Sequence, residues 1–381
     1  MKSNYRKIGE LIRLVDERNA GLKVTTLLWL SISKEFIPSV ANIIGTDMEN
    51  YKIIRKDQFA CSLMQVRRDK KIPIALLRNR EEAIISQAYP VFEVMNKNIL
   101  LPEYLMMWFS REEFDRESCF YAVWWVRWSL EWSDFCDMEL PIPSIEKQRE
   151  IVTEYKVLIN RINLNNTLME KLEDTAQALY KQWFVDFEFP DADGNPYKSS
   201  GGEMEYCKEL KKNVPRCWKM GILSDLIEVK YGKEYSHLMD GNIPLYWSGG
   251  IMKKVSASLY SKPSILIPRK GTLTNIMYVN HPFWCVDTMF YSIFKIDNIW
   301  YYTYLILKQL DFSSLDQGSA VPSMTTAYLN SIQVVIPEKN ITNHFSSILE
   351  IFYKNKEILE LELQRLFETK NTVLSKMASV G

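Results

Sequence analysis

The sequence predicts an α+β protein in which two mixed α/β domains alternate with two long helices. Three observations support this prediction: an internal repeat with an offset of about 194 residues, a heptad pattern at the end of each repeat, and short strand-like segments inside the repeats. The chain has 381 residues, enough for two domains of ~150 residues and additional helices. Its apolar content of 47% is typical of a globular protein.

The internal repeat is clearest where each half ends. With a shift of 194 residues, Leu-Pro-Ile-Pro at 140–143 aligns with Val-Val-Ile-Pro at 334–337, and Phe135 aligns with Leu329. Farther along, four apolar residues align without a gap with four others: Ile151, Leu158, Leu172 and Leu179 with Phe345, Phe352, Leu366 and Val373. A constant offset over a helix-length pattern indicates that the two halves share one fold.

Each repeat continues into a segment with apolar residues at heptad positions a and d. In the first segment these are Tyr155, Ile162, Met169, Ala176 and Trp183 at a, and Ile151, Leu158, Asn165, Leu172 and Leu179 at d. In the second they are Leu349, Lys356, Leu363, Lys370 and Met377 at a, and Phe345, Phe352, Leu359, Leu366 and Val373 at d. About five heptads without Pro or Gly predict a coiled coil.

The polar residues of this predicted seam are Asn165, Lys356 and Lys370. Polar residues at a and d positions lower stability but select register or orientation. The alternative interpretation is two separate amphipathic helices, each packed on its own domain.

Turn residues give the domain boundaries. The stretch Asp-Ala-Asp-Gly-Asn-Pro at 191–196, followed by Ser-Ser-Gly-Gly at 199–202, predicts a linker. The resulting division is a first domain at 1–143, a helix at 144–190, a linker at 191–215, a second domain at 216–337 and a helix at 338–381. Within the domains, residues 264–268, 290–294 and 331–336 read as strands, and 102–109 and 301–308 as short helices.

The sequence lacks the motifs of the common catalytic classes. It contains no phosphate-binding loop, no dinucleotide fingerprint and no Asn/Asp-Pro-Pro-aromatic motif of the amino-methyltransferases. The three histidines have no ligand spacing, and the six cysteines form no C-x-x-C pair, which argues against zinc and against a disulfide framework. Asp225, Glu228 and Lys230 weakly resemble a nuclease set, but a solvated helix end is the more common reading.

Charge distribution limits where nucleic acid could bind. The chain has 47 basic and 47 acidic residues, and only residues 198–337 are basic, with 15 Lys and Arg against 11 Asp and Glu. Contacts with DNA must therefore depend on local patches. No apolar run approaches the ~18 residues of a membrane span, and no apolar segment follows the basic N-terminus, so a cytoplasmic protein without a signal peptide is expected.

Three segments carry the residue types that contact DNA. Residues 269–275 supply Arg269, Lys270, Thr272 and Asn275, because Arg and Lys bind phosphate or guanine and Asn can read adenine. The small-residue segment 318–326 supplies Ser319, Thr325 and Thr326, whose hydroxyls could follow a DNA backbone. In the first domain the basic candidates are Arg67, Arg68, Lys70, Lys71 and Arg127, with Arg78 and Arg80 nearby. For each segment the alternative is a solvated surface loop.

Four segments together resemble the specificity subunits of type I restriction–modification systems. They are Ala-Leu-Tyr-Lys-Gln-Trp-Phe-Val-Asp-Phe at 178–187, Pro-Ser-Ile-Glu-Lys-Gln-Arg-Glu-Ile-Val at 143–152, and the segments 269–275 and 318–326. The whole chain also follows the family's order of recognition domain, helix, recognition domain, helix.

The resemblance implies two target recognition domains held apart by an antiparallel coiled coil, each reading half of a split site in double-stranded DNA. It implies a non-catalytic chain without a cofactor or metal of its own. The helices would bind two methyltransferase (modification) subunits that carry S-adenosylmethionine, and restriction/translocase subunits that use ATP and Mg would join for restriction.

The first half departs from this pattern at one place. Trp124, Trp125 and Val126 stand where the second half has Gly318, Ser319 and Ala320, and among these positions Arg127 is the residue that looks retained. This departure favours a second interpretation, a coiled-coil scaffold from a silent or recombined specificity cassette that no longer binds DNA. A self-contained nuclease or methyltransferase is the third, and the missing motifs argue against it.

Overall fold

The computed structural model describes residues 4–39, 47–64, 66–122, 129–310 and 324–379. The chain divides into two compact units, a first unit of Met1–Asn166 and Glu360–Gly381, and a second unit of Thr167–Leu359. Two long helices contribute residues to both units. The central helix covers Ile145–Tyr180 and continues as a π-helical turn at Lys181–Val185, and the C-terminal helix covers Lys339–Lys376.

The globular part of the first unit contains ten strands and four short helices in its described residues. The strands are β1 Tyr5–Lys7, β2 Ile12–Val15, β3 Leu28–Leu30, β4 Phe36–Pro38, β5 Lys52–Arg55, β6 Gln58–Cys61, β7 Ile74–Leu76, β8 Glu82–Ile85, β9 Val91–Val94 and β10 Glu139–Pro141. The helices are α1 Val66–Asp69, α2 Pro102–Phe109, α3 Glu112–Tyr121 and α4 Trp132–Asp137.

The central sheet of this unit is antiparallel, with the strand order β2-β9-β6-β7. Strands β1 and β10, β3 and β4, and β5 and β8 form separate two-stranded pairs. Four fully buried rings, Phe59, Phe92, Phe109 and Phe135, pack between the sheet and helices α2 and α4, at centroid distances of 5.1–6.3 Å. Phe59 anchors β6 in this aromatic core, and the basic candidates of the first domain follow that strand.

The globular part of the second unit repeats this architecture. Its described strands are β11 Met204–Cys207, β12 Lys212–Pro215, β13 Lys219–Ile222, β14 Ile227–Tyr231, β15 Asp240–Trp247, β16 Gly250–Val255, β17 Ser264–Pro268, β18 Met277–Val279, β19 Trp284–Cys285, β20 Met289–Phe294 and β21 Gln333–Ile336. The helices are α5 Leu223–Leu226, α6 Trp300–Gln309 and α7 Thr326–Ser331. The main sheet has the order β14-β20-β17-β18, and a second sheet has the order β16-β15-β19.

The two main sheets have the same topology. In each, the first strand pairs with the last, the last pairs with a middle strand, and the middle strand pairs with the one that follows it. Strand β6 therefore occupies the position that β17 occupies in the second unit. The two domains also correspond in a pair of strands that joins the start of each domain to its end, β1 with β10 and β13 with β21.

Within each unit the two long helices pack side by side in opposite directions. In the first unit, Ile151 and Val152 share a core with Leu374 and Met377, and farther along the central helix Arg161 binds Glu362 at 2.7 Å. In the second unit, Glu173 binds Lys356 at 3.2 Å, and the residues beyond them share a core: Ala176, Tyr180, Trp183 and Phe184 with Phe345 and Leu349.

Every candidate seam residue is buried or half-buried on these helices. They include Tyr155, Leu158, Ile162, Asn165, Leu363 and Leu366 in the first unit, and Met169, Leu172, Leu179, Phe352 and Leu359 in the second. Residues between them, such as Val157 and Leu164, are exposed. The heptad positions therefore mark the inward face of each helix segment.

Three expectations about local structure need correction. The predicted linker at 191–215 contains a β-hairpin, β11–β12, and places Cys207 and Val214 in the core of the second unit. The strand expected at 331–336 begins only at Gln333, because helix α7, whose N-cap is Thr325, extends to Ser331. Glu228 and Lys230 lie on strand β14 rather than at a helix end. No helix in the described ranges combines the length and apolar composition needed to cross a membrane.

Candidate nucleic-acid interface

Arg269 begins the loop that follows β17 in the second unit. Its backbone N–H donates to the Thr288 carbonyl at 2.9 Å, which continues the pairing of β17 with β20. Its guanidinium carbon lies 5.4 Å from the centre of the Tyr231 ring, and Nη1 donates to the Asp287 carbonyl at 3.4 Å. A half-buried guanidinium above an aromatic ring is restrained but keeps donors for a ligand.

Lys270 and Thr272 extend from the next turn of the loop, and both are exposed. Gly271 between them has a φ of +83°, which a side chain tolerates poorly. A Cβ atom at Gly271 would lie 2.8 Å from Ser248 Oγ, so the Ser248 side chain in the β15–β16 turn lies directly against this loop.

Asn275, at the C-terminal end of this loop, joins the loop to the β15–β16 turn. Its backbone N–H donates to the Thr272 carbonyl at 3.1 Å, and its side-chain Nδ2 donates to the Ser248 carbonyl at 2.8 Å. The side chain is half-buried. The structure therefore uses the Asn275 amide to attach the β15–β16 turn to the arginine loop, while the predicted contact of Asn275 with adenine stays a prediction.

The described end of the predicted segment 318–326 meets the arginine loop through its backbone. The Met324 N–H donates to the Arg269 carbonyl at 2.9 Å. Thr325 is exposed, and its Oγ1 accepts from the Tyr328 N–H at 3.2 Å as the N-cap of α7; Thr326 is half-buried. The structure thus brings Thr325 and Thr326 beside Arg269. Ser319 lies outside the described residues.

The basic candidates of the first unit follow β6. Arg67 and Arg68 lie on α1, and Lys70 and Lys71 follow it, all four exposed. Arg68 binds Asp69 at 2.7 Å. An open cavity of about 480 Å³ is lined by two of these cations together with residues of α3: Arg67, Lys70, Arg116, Cys119 and Phe120. Arg127 and the tryptophans at 124, 125 and 128 lie outside the described residues.

Other charged groups near this loop are engaged in ion pairs. Arg78 binds Glu103 at 2.6 Å and Asp57 at 3.7 Å. Burial would raise the pKa of Glu103, but hydrogen bonds from Arg78 and Lys156 outweigh burial and lower that pKa. Arg78 is exposed like the cations from Arg67 to Lys71, and its charge is balanced by two acidic groups of the same unit.

The two basic loops occupy equivalent places. One follows β6 and precedes β7; the other follows β17 and precedes β18. In the first unit the Leu130 N–H donates to the Leu63 carbonyl at 2.9 Å, which matches the bond from Met324 to Arg269 in the second unit. Each basic loop is therefore attached to the segment that precedes the last short helix of its domain.

Sequence reasoning missed three exposed aromatic residues at these places. They are Phe120, 83% exposed beside the cavity of the first unit, and Tyr231 and Trp247 beside the arginine loop. The Trp-Ser-Gly-Gly turn at 247–250 offered a signal for Trp247, because connecting segments run over the protein surface. Tyr231 depends on sheet pairing, which local sequence does not show.

The nuclease-like trio does not assemble into a site. Asp225 accepts from the Ile222 N–H at 2.8 Å, and Glu228 and Lys230 pair with each other at 2.5 Å. In the part of the chain that the structure describes, no group of three His, Cys, Asp or Glu side chains is arranged to hold a metal ion. Burial raises the pKa of the Cys119 thiol beside the cavity, which disfavours a reactive thiolate.

Comparison with known proteins shows similarity to two specificity subunits. The Type I restriction enzyme MjaIX specificity subunit of Methanocaldococcus jannaschii is 24% identical over 277 residues, which are 65% of this chain and 61% of that protein. The HindI specificity subunit of Haemophilus influenzae is 31% identical over 114 residues, 28% of this chain and 23% of that protein. The chain thus spans less than two thirds of these relatives.

A solved structure shares the fold. The Type-I restriction-modification system S subunit from M. genitalium superposes with a TM-score of 0.62 and 16% identity, covering 98% of this chain and 95% of that one. Residues 215–366, which include the arginine loop, match the family of the Type I restriction modification DNA specificity domain. The resemblance predicted from the sequence is confirmed: residues 215–366 match the specificity-domain family, and the curated relatives are specificity subunits of type I restriction enzymes.

Proposed function

We propose that this chain is the DNA-recognition subunit of a type I restriction–modification complex and carries no catalytic centre of its own. The observation that supports this proposal best is the pair of exposed basic loops, Arg67 to Lys71 and Arg269 to Thr272, at equivalent positions of two domains with one topology. Exposed cations beside exposed aromatic rings suit phosphates and base edges.

The target is proposed to be bipartite, with one half-site for each domain. The near-repetition of the chain supports this: α4 and α7 start at residues 132 and 326, β10 and β21 at 139 and 333, and the long helices at 145 and 339, which are 194 residues apart in each case. Toward the N-terminal side the separation grows, to 198 residues between the starts of α2 and α6 at 102 and 300. Two domains that share a fold but differ in loop length can recognise two different DNA half-sites.

The long helices are proposed to form an antiparallel coiled coil that also binds partner subunits. The opposite directions of the paired segments in each unit support the coiled coil. Both helices also expose apolar side chains away from the seam, at Val157, Leu164, Ile351 and Ile358. These exposed apolar residues would form the binding surfaces for two methyltransferase subunits, which would carry S-adenosylmethionine. Restriction subunits would bring ATP and Mg to the assembly in the cytoplasm.

The experiment is to express the chain with its modification subunit in a host without other methyltransferases and to map methylated bases by sequencing. We expect one split motif that appears only when both subunits are present. The purified chain alone should show no methyl transfer, DNA cleavage or ATP hydrolysis. Methyl transfer by the isolated chain, or no motif with both subunits folded and associated, contradicts the proposal.

The same experiment separates the second interpretation, a scaffold from a silent or recombined cassette. Under that interpretation the chain would associate with the modification subunit, but no methylated motif would be found in the DNA. The exposed basic loop of the first unit and the family match of the second do not favour it.

A further inference from the structure

The β15–β16 hairpin of the second unit exposes an unusual amount of apolar surface. Trp247 at its turn is 49% exposed, and Ile251 and Met252 on β16 are 58% and 49% exposed. Strand β16 lies at the edge of the sheet with the order β16-β15-β19. Three large apolar side chains at one end of an edge hairpin indicate a surface that meets a partner.

The charge around the hairpin indicates what that partner is. Residues 241–286, which contain the hairpin and the arginine loop, include no Asp or Glu and five cations: Lys253, Lys254, Lys262, Arg269 and Lys270. In a chain with zero net charge, these 46 consecutive residues carry a formal charge of +5 from Lys and Arg. The nearest acidic residues in sequence are Asp240, at the far end of β15, and Asp287. This charge complements a polyanion.

The hairpin is held at a fixed place beside the arginine loop. The Ser248 carbonyl accepts from Asn275 Nδ2 at 2.8 Å, and a Cβ atom at Gly271 would lie 2.8 Å from Ser248 Oγ. A Cβ atom at Gly249 would lie 2.6 Å from the Trp247 ring, so the ring lies against its own turn. Trp247 is therefore exposed but oriented, as a recognition residue needs to be.

We propose that the β15–β16 hairpin is a second DNA-contacting element of this domain, which enters the major groove as a two-stranded ribbon. The major groove admits such a ribbon, and the thymine methyl group is the apolar feature that it presents. Trp247 contacts a thymine methyl group, Lys253 and Lys254 bind phosphates, and Asn275 positions the hairpin. This inference rests on the proposed function and assigns one part of the specificity to an apolar contact.

The first test compares Trp247→Ala with Tyr206→Ala in the complete complex. Tyr206 is an equally suitable aromatic control, because it is 60% exposed on another hairpin of the same unit. We expect Trp247→Ala to lower the methylation rate about tenfold and to relax one A·T position of a single half-site. Tyr206→Ala should retain the wild-type rate and motif. An unchanged motif and rate for a folded Trp247→Ala complex overturns the inference.

The second test removes the methyl group from the DNA instead of the ring from the protein. Each thymine of that half-site is replaced in turn by uracil in a synthetic duplex. One replacement should weaken binding of the wild-type complex about fourfold, which corresponds to ~0.8 kcal/mol for one buried carbon group. The same replacement should have no effect on Trp247→Ala. Equal losses in both proteins, or a half-site without an A·T pair, contradict the thymine contact.

The two tests separate this inference from the proposed function. If the wild-type complex methylates no motif, the proposed function fails before the hairpin is tested. If it methylates a split motif that Trp247→Ala leaves intact, the function stands and the hairpin contact is wrong.

Discussion

Glu173 of the central helix and Lys356 of the C-terminal helix form an ion pair with an N–O distance of 3.2 Å, inside the second unit. Lys308 of α6 binds the other oxygen of the same carboxylate at 3.0 Å. One carboxylate therefore joins both long helices to the recognition domain. Its surroundings include the Tyr353 and Tyr304 rings, which each face one of the two ammonium groups.

Replacement of Glu173 by Gln should destabilise the second unit, because two partly buried ammonium groups lose their counterion. We expect a loss of about 1–3 kcal/mol, below the ~3–5 kcal/mol of a fully buried pair, since the Lys308 and Lys356 side chains are 28% and 30% exposed. Urea denaturation measures the change. Glu170→Gln, an exposed position on the same helix, is the matched control, and equal effects of both variants contradict this role.

The contribution of Glu173 should also depend on pH. Burial raises the pKa of Glu173, but Lys356 and Lys308 outweigh it, and the pKa is lowered from its usual value of 4.5. A carboxylate with a lowered pKa in the folded protein stabilises it above the unfolded pKa, and this stabilisation disappears as pH falls through the lower, folded value. The stability difference between wild type and Glu173→Gln should be constant from pH 7 to about pH 5.5 and shrink below 4.5. A difference that grows on acidification contradicts this sign.

Asn165 is a buried polar residue on the inner face of the central helix. Asn165 is only 1% exposed, and its side-chain Nδ2 has no hydrogen bond of normal geometry among the described residues. It lies one turn from Arg161, whose hydrogen bond to Glu362 is the main cause of the lowered pKa of that carboxyl group. Asn165→Leu should stabilise the fold by about 1–2 kcal/mol, because the cost of an unsatisfied amide is removed. Thermal unfolding against the exposed Asn166→Leu control measures it, and a destabilised Asn165→Leu shows that the amide is satisfied in solution.

Arg269→Ala should weaken DNA binding by about 1–3 kcal/mol if the guanidinium reads a guanine, and relax one position of one half-site. If Arg269 binds a phosphate, affinity should fall evenly across sequences with a shallower salt dependence. Binding of the complex to a panel of duplexes at several salt concentrations distinguishes the two. Lys219→Ala, exposed on β13 of the same unit, serves as control. Unchanged affinity in a folded Arg269→Ala complex removes Arg269 from the interface.

Gly271→Ala should destabilise the arginine loop for two separable reasons. The φ of +83° strains any side chain, at a cost of about 1 kcal/mol, and the new Cβ would lie 2.8 Å from Ser248 Oγ. Ser248→Ala removes that oxygen, so the double variant should recover the steric part and keep the strain. A double-mutant cycle measured by denaturation tests this expectation, and strict additivity of the two substitutions rules out the contact.

The structural elements that the sequence predicted correctly are those governed by local patterns. Helix α2 covers the predicted range 102–109, strand β17 covers 264–268, and the predicted helix 301–308 lies within Trp300–Gln309. Heptad spacing likewise selected residues that are buried or half-buried on the long helices. Periodicity carries this information because a helix or strand repeats its inward face at a fixed interval.

Contacts between distant residues could not be predicted in the same way. The bond from Asn275 to Ser248 joins positions 27 residues apart, so the sequence suggested a free amide for base reading. The ion pairs of Arg78 depend on Asp57 and Glu103, which local composition does not place beside it. The hairpin β11–β12 was read as a linker because its turn residues outweighed two short strands whose burial depends on the rest of the unit.

The first unit is assembled from the beginning and the end of the described chain, and this has a consequence for synthesis. Leu374 and Met377 belong to the same core as Ile8 and Phe59, so that core is incomplete while the intervening residues are being translated. At ~5–20 residues per second, the more than 200 residues between Asn166 and Met377 take about 10 to 40 s. During this interval the nascent first domain lacks the side chains of Leu374 and Met377 that complete its core, so we expect it to bind chaperones and to aggregate more readily when translation of the second half is slowed.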